Sequence, residues 1–397
     1  MAPADHLPAP LPAHRVPTAP TPKPCPRPRP LSAPVASTHS PSSWPSIIPG
    51  LVAATAIAAF TLFFADWLGS GLFNLGKSPV SPVMLAVLAG VLIRNTVGVD
   101  ARLERGVAVA SSAVLRIGLA LVGLRLSISG LGKLGVQALP VVAGCMLTGW
   151  LVLPRLARAM KLKGPLVTLL TVGTTICGCT AILAVAPAIR ARAEETGYAI
   201  TLVVCVGLVG MLLYPFIANG LFGDDPIAAG IFLGASIHDT SQVMGAALVY
   251  SGQYLAPEAL EAATVTKLLR NLTLLAVVPI LAATFANRPT SQGGTVETRR
   301  ASLLPAFVIA FVGMAVVRTL GDLASPALPD FGRMLWAPGL LLANQMSELL
   351  LTVGMAAVGL TVELGGIRRV GPRPLAAGVL AAAIMAVVCV ILLKTLR

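Results

Sequence analysis

The sequence predicts an all-α polytopic membrane protein with about eleven transmembrane helices, built from inverted repeats and carrying two interrupted helices. Three observations lead there. Hydrophobic residues make up 56% of the 397 and charged residues 11%, and the mean hydropathy is +0.84, values that water-soluble domains do not reach. Apolar runs recur at lengths near the roughly twenty residues that a helix needs to cross a bilayer. One stretch of the first half also matches one of the second half without a gap.

Residues 1–46 alternate proline with alanine, serine and basic residues. Such a segment cannot bury enough apolar surface to fold, so it is expected to be a disordered tail ahead of a transmembrane domain over 47–397. The apolar segments that follow are Ile47 to Leu68, Val80 to Thr96, Val107 to Leu126, Val136 to Leu153, Leu166 to Ile189, Tyr198 to Asn219, Pro226 to Tyr250, Thr264 to Ala286, Leu303 to Leu320, Met334 to Val362 and Pro374 to Leu393. The net charge of +13 does not point to nucleic acid, because the basic residues sit in the short gaps between these runs, where lysine and arginine fix topology. With the N-terminus inside, 17 basic residues fall on the cytoplasmic side and 9 on the other. Cysteine and histidine spacing calls for no disulfide framework, metal or cofactor.

The internal match pairs Leu115 to Gly135 with Leu351 to Gly371 at a constant offset of 236. Eight of twenty-one positions are identical, including Gly118/Gly354, Gly123/Gly359, Gly130/Gly366 and Gly135/Gly371. These are the third and tenth segments, an odd number of crossings apart, so they run in opposite directions. Inverted-topology repeats of this kind characterise secondary transporters. The competing account is two glycine-rich helices that merely pack closely.

Polar interruptions mark the candidate site. In the seventh segment Ser236, His238, Asp239, Thr240, Ser241 and Gln242 fall inside an apolar run, and successive polar side chains on one helix would have to meet lipid unless it is unwound or buried. In the fifth, Gly173, Gly178 and Pro187 weaken a helix while Thr171, Thr174, Thr175 and Thr180 can satisfy freed backbone groups. In the eighth, Lys267, Arg270 and Asn271 share one helical face. Two neighbouring cations need a carboxylate, a bound anion or water, with snorkelling at the membrane edge as the alternative. Arg116 and Glu348 also lie within apolar runs, and Asp239 and Glu348 are candidate partners for the cations.

The motifs G-C-T-A-I-L-A-V-A-P, S-I-H-D-T-S-Q-V and K-L-L-R-N, with L-R-I-G-L-A-L-V-G-L-R-L upstream, resemble those of the YeiH-type family of bacterial inner-membrane proteins labelled sulfate exporters. The resemblance runs from Ile47 to the C-terminus. It implies a multi-pass protein of the bacterial inner membrane, related to transporters with inverted repeats and crossed broken helices. The expected function is a secondary transporter exporting a small anion, sulfate or sulfonate-like, coupled to protons or cations. Gly178, Cys179, Thr180, Ser236, Thr240, Gln242, Lys267, Arg270 and Asn271 are the expected substrate-binding residues, and His238, Asp239 and Glu348 the proton-coupling ones. The expected partners are the anion and the lipid bilayer, with no nucleic acid and with a homodimer left open. An anion channel is the rival reading. An enzyme ranks below both, since a single intramembrane histidine supplies neither a nucleophile with its base nor a metal cluster.

Overall fold

The computed structural model describes residues 46–68, 80–162, 164–286, 306–324, 330–365 and 372–396, and these are helical with short connections and no strand. Residues 1–45 of the proline-rich tail, and the repeat glycines Gly366 and Gly371, lie outside the described residues. Each of the eleven expected segments is helical. We name them α1 (Ile48–Asp66), α2 (Pro82–Thr96), α3 (Ala101–Arg125), α4 (Ile128–Ala159), α5a and α5b (Pro165–Thr175 and Cys179–Ala188) and α6 (Ala193–Phe222). The rest are α7a and α7b (Pro226–Ser236 and Thr240–Tyr254), α8 (Pro257–Phe285), α9 (Ala306–Ala324), α10 (Asp330–Thr361) and α11 (Pro372–Thr395).

The fifth and seventh segments break where their polar residues fall, but neither continues across the membrane. The arms of α5 are 11 and 10 residues long, about 15 Å each, half the thickness of the hydrocarbon core. A Cβ on Gly173 of α5a would lie 2.7 Å from Ile182 of α5b, a contact that a straight helix would separate by about 13 Å. Gly164, where α5 begins, faces Glu195 at the start of α6, the helix that follows α5b. The chain therefore enters and leaves on one side, as a helical hairpin. The α7 arms do the same along α8. Gly230 and Gly234 of α7a lie against Ala259 and Ala263 in parallel order, whereas α7b runs back, with Thr240 bonded to Asn271 and Met244 to Thr264. Since α6 crosses once between the two hairpins, they enter from opposite sides. The crossed broken helices implied by the resemblance are thus two re-entrant hairpins, and among the described residues eight further helices are long and apolar enough to cross a membrane, with α2 a shorter apolar helix beside them.

The inverted repeat is visible as reciprocal packing between α3 and α10. A Cβ on Gly118 would meet Leu351 and one on Gly354 would meet Leu115, so each glycine receives the leucine that is the repeat-mate of its own neighbour. Such exchange is what a two-fold relation demands. The next matched pair extends it: Gly123 takes the backbone of α9 at Phe311, and Gly359 takes that of α2 at Val87. Close approach through small residues replaces the hydrophobic drive that lipid cannot supply between helices.

The hairpin topology predicts a labelling pattern. Cysteines introduced at Lys161 and Glu194 will react with an impermeant thiol reagent from one face of the membrane, and those at Asp224 and Glu258 from the other. Labelling of Lys161→Cys and Glu194→Cys from opposite faces would mean that α5 crosses.

Candidate functional site

The two hairpin tips meet. α5 breaks over Ile176 to Gly178, and α7 over Ile237 to Asp239. Gly178 has φ +67° and faces Asp239, whose Cα would lie 3.0 Å from an added Cβ, so both its backbone conformation and the space require glycine. Each break exposes the last carbonyls of one arm and the first amides of the next, groups that find no water inside a membrane.

The carbonyl ends belong to Lys267 and Arg270, both fully buried on α8. Arg270 Nε donates to Thr175 O (3.1 Å) and Nη2 to Thr174 O (2.8 Å), closing off α5a. Its Nη1 donates to Gly234, Ala235 and Ile237 O (3.3, 2.6 and 3.1 Å), closing off α7a. Lys267 Nζ donates to Ile176 O (3.3 Å), Ile237 O (3.1 Å) and His238 O. Gly230 and Gly234 permit this arrangement by letting α7a lie directly on α8. The snorkelling alternative is therefore not realised. Neither residue lines the cavity described below, although the sequence points to both as substrate ligands: their donors go to main-chain oxygens at the ends of α5a and α7a.

The amide ends share one carboxylate. Asp239 Oδ1 accepts from Ser241 N (2.9 Å) and Ser241 Oγ (2.6 Å) at the head of α7b, and Oδ2 accepts from Cys179 N (3.4 Å) at the head of α5b. Two helix N-termini together present roughly one positive charge, which a single carboxylate matches.

A cavity of about 630 Å³ opens at the amide side of the tips. Cys177, Thr180, Asp239, Thr240, Ser241 and Asn271 form one wall. Opposite stand α9, with Phe307, and α3, with Ser111, Ser112 and Arg116. Ser111 and Ser112 belong to a π-helical turn, Ala110–Val114, that widens α3 at this level. The Arg116 guanidinium has no hydrogen bond or ion pair among the described residues and is exposed. Asn271 is 95% buried; its Nδ2 approaches Thr240 Oγ1 (3.4 Å), and its Oδ1 has no partner.

The remaining expected residues lie elsewhere. His238 is buried behind the tip, where its imidazole reaches the main chain of Thr174 in the other hairpin. Gln242 points away to Val204 O of α6 (2.8 Å), and Ser236 is buried at the end of α7a. Glu348 pairs with Arg125 (2.7 Å), not with the cations of α8. Arg116 is visible in the sequence as a charge in an apolar run, whereas the adjoining hydroxyls of Ser111 and Ser112 are not conspicuous there. Two serines one turn before an arginine, in otherwise apolar sequence, were the available signal.

Comparison with known proteins joins this geometry to a family. Residues 49–378 match the family model described as conserved hypothetical protein 698. A UPF0324 membrane protein of Nitratidesulfovibrio vulgaris is 30% identical over 331 residues, covering 82% of this chain and 86% of the relative. UPF0324 membrane protein TauZ of Paracoccus pantotrophus is 33% identical over 333 residues, covering 83% and 89%. The chain belongs to the UPF0324 membrane protein family. This is the YeiH-type family that the motifs resemble. A further UPF0324 relative, from Pseudomonas aeruginosa, is 30% identical over 343 residues, covering 83% of this chain and 88% of its own. No solved structure matches, so the paired hairpins of this UPF0324 chain are described from its own geometry.

Arg270→Lys tests the capping role. The guanidinium makes five contacts where an ammonium has three donors, so at least two contacts to the hairpin carbonyls are lost, at a cost of about 1–3 kcal/mol for each carbonyl left without a partner. The expected result is a clear fall in Tm of the detergent-solubilised protein, with charge conserved. An unchanged Tm would show that the five contacts do not hold the tips.

Proposed function

We propose that this UPF0324 protein is a secondary transporter that exports a small oxyanion, sulfate or sulfonate-like, together with a proton. One observation carries the reading: two half-helix N-termini converge on a cavity that also contains an unpaired guanidinium, and the anionic place between them is held by a carboxylate of the protein itself. Half-helix N-termini at mid-membrane are the usual seat of an anionic substrate group in transporters with inverted repeats. With Asp239 ionised, its own charge fills that seat and repels an anion. With Asp239 protonated, the amide ends, the hydroxyls of Thr180, Thr240 and Ser241, Asn271 and Arg116 are left to receive an oxyanion. Proton and anion then occupy the site together. In this reading Arg116 takes the ligand role expected of Lys267 and Arg270, and Asp239 takes the proton-carrying role expected of His238 and Glu348.

The hairpins support an orientation with the N-terminus inside. Because α5 returns to the side it came from, Arg190 and Arg192 join the cytoplasmic count, which becomes 19 against 7. This strengthens the placement of the N-terminus inside. Ala306 and Phe307, in the first turn of α9, line the cavity, and with the N-terminus inside this supports a mouth toward the cytoplasm. A dianion leaving with one proton carries net negative charge outward, a movement that the membrane potential favours by roughly 2.3 kcal/mol per charge per 100 mV.

The test is flux and binding in proteoliposomes with labelled sulfate and a sulfonate. Arg116→Gln is expected to weaken anion binding about ten- to a hundredfold, the value of one charge-assisted contact at roughly 1.5–3 kcal/mol, with Tm unchanged. Wild-type affinity should rise as pH falls, because anion and proton favour each other's binding. Asp239→Asn should make affinity independent of pH and abolish proton-driven accumulation while leaving downhill exchange. Wild-type anion affinity in Arg116→Gln, or an unchanged pH profile in Asp239→Asn, would contradict the assignment.

A further inference from the structure

We infer that the Lys267 ammonium is a tethered occupant of a monovalent-cation site formed jointly by the two hairpin tips. Its Nζ is enclosed by three main-chain oxygens, those of Ile176 from one break and of Ile237 and His238 from the other. The residue is 0% exposed, and no carboxylate bonds to it among the described residues. Carbonyl oxygens of unwound backbone, at the C-terminal ends of half-helices, are the ligands with which membrane proteins replace the hydration shell of Na⁺ or K⁺. The oxygens converge here because both first arms end at the same point, and the positive charge there is supplied by a side chain from α8. Ile237 O also accepts from Arg270, so the two cations share a ligand and together fix the carbonyl side of both tips.

Two consequences separate this from an ordinary buried lysine. A site already filled by a tethered charge has no use for a free alkali ion, so the stability and any ion-coupled flux of the wild-type protein are independent of Na⁺ and K⁺. Removing the tether while leaving the oxygens turns the place into a vacant site for a small free cation. The inference rests on the hairpin geometry alone and holds whatever the substrate is.

The experiment compares the Tm of the full-length wild-type protein and of Lys267→Ala in choline chloride, NaCl, KCl and methylammonium chloride at constant ionic strength. For wild type, the four salts are expected to give the same Tm. For Lys267→Ala, Tm in choline should fall below wild type, and at least one of Na⁺, K⁺ or methylammonium should restore a few degrees in a saturable manner, as a ligand that binds only the folded state does. Lys267→Met, which fills the stem volume and leaves less room for an ion, should gain less. A folded Lys267→Ala indifferent to all three small cations would overturn the inference. So would failure to recover it folded in any of the three salts, since a refilled site should restore the tips. A wild-type protein that requires Na⁺ or K⁺ would overturn it independently of any variant.

Discussion

Everything in this structure depends on two cations of one helix meeting the exposed carbonyls of two others. Breaking a helix inside a membrane leaves main-chain groups that lipid cannot satisfy. Lys267 and Arg270 supply eight contacts to those groups, distributed over both hairpins. Burying a cation costs far more than burying a bare carbonyl, so each charge here is offset by several carbonyls at once, which in turn gain the partner that lipid cannot supply. Because the same guanidinium bonds to Thr174 and Thr175 on one side and to Gly234, Ala235 and Ile237 on the other, the tips cannot be placed independently.

That arrangement sets the polarity of the site. The carbonyl ends are closed by α8, so what remains available for a ligand is the amide side, where Asp239 bridges the heads of α5b and α7b. The cavity there lies between the hairpins and the repeat core of α3 with α9, and its only guanidinium among the lining residues, Arg116, comes from that core. Charge for charge, the hairpins contribute helix ends and a carboxylate, and the core contributes a cation. A ligand that bridges them contacts both.

Much of this was legible in the sequence, and the parts that were not share a physical cause. The breaks were marked by Gly178 and by Asp239, because a left-handed glycine and a capping carboxylate are side-chain features of helix ends. The inverted repeat was legible from Gly118/Gly354 and Gly123/Gly359, whose close contacts demand glycine at both copies. Re-entrance was hidden: a run of apolar residues has the same hydropathy whether it crosses or turns back, and only contacts such as Gly173 with Ile182 distinguish the two. The partners of Lys267 and Arg270 were hidden for a different reason. They are main-chain oxygens, which every residue carries, so no side-chain pattern announces them, and Glu348, the carboxylate that an apolar run makes conspicuous, pairs with Arg125. Arg116 stands out as a charge, but its polar company, Ser111 and Ser112 one turn before it, is sparser than the unbroken polar run His238 to Gln242 that makes the hairpin conspicuous.

The central claim, that α8 holds both hairpin tips as one unit, is tested most directly by amide hydrogen exchange across residues 172–182 and 234–244 in wild-type and Arg270→Gln protein in lipid nanodiscs. Loss of the guanidinium fork is predicted to raise exchange at both tips together and by similar factors, with the α3 and α10 cores unchanged. Increased exchange at one tip alone, or at neither, would contradict the account.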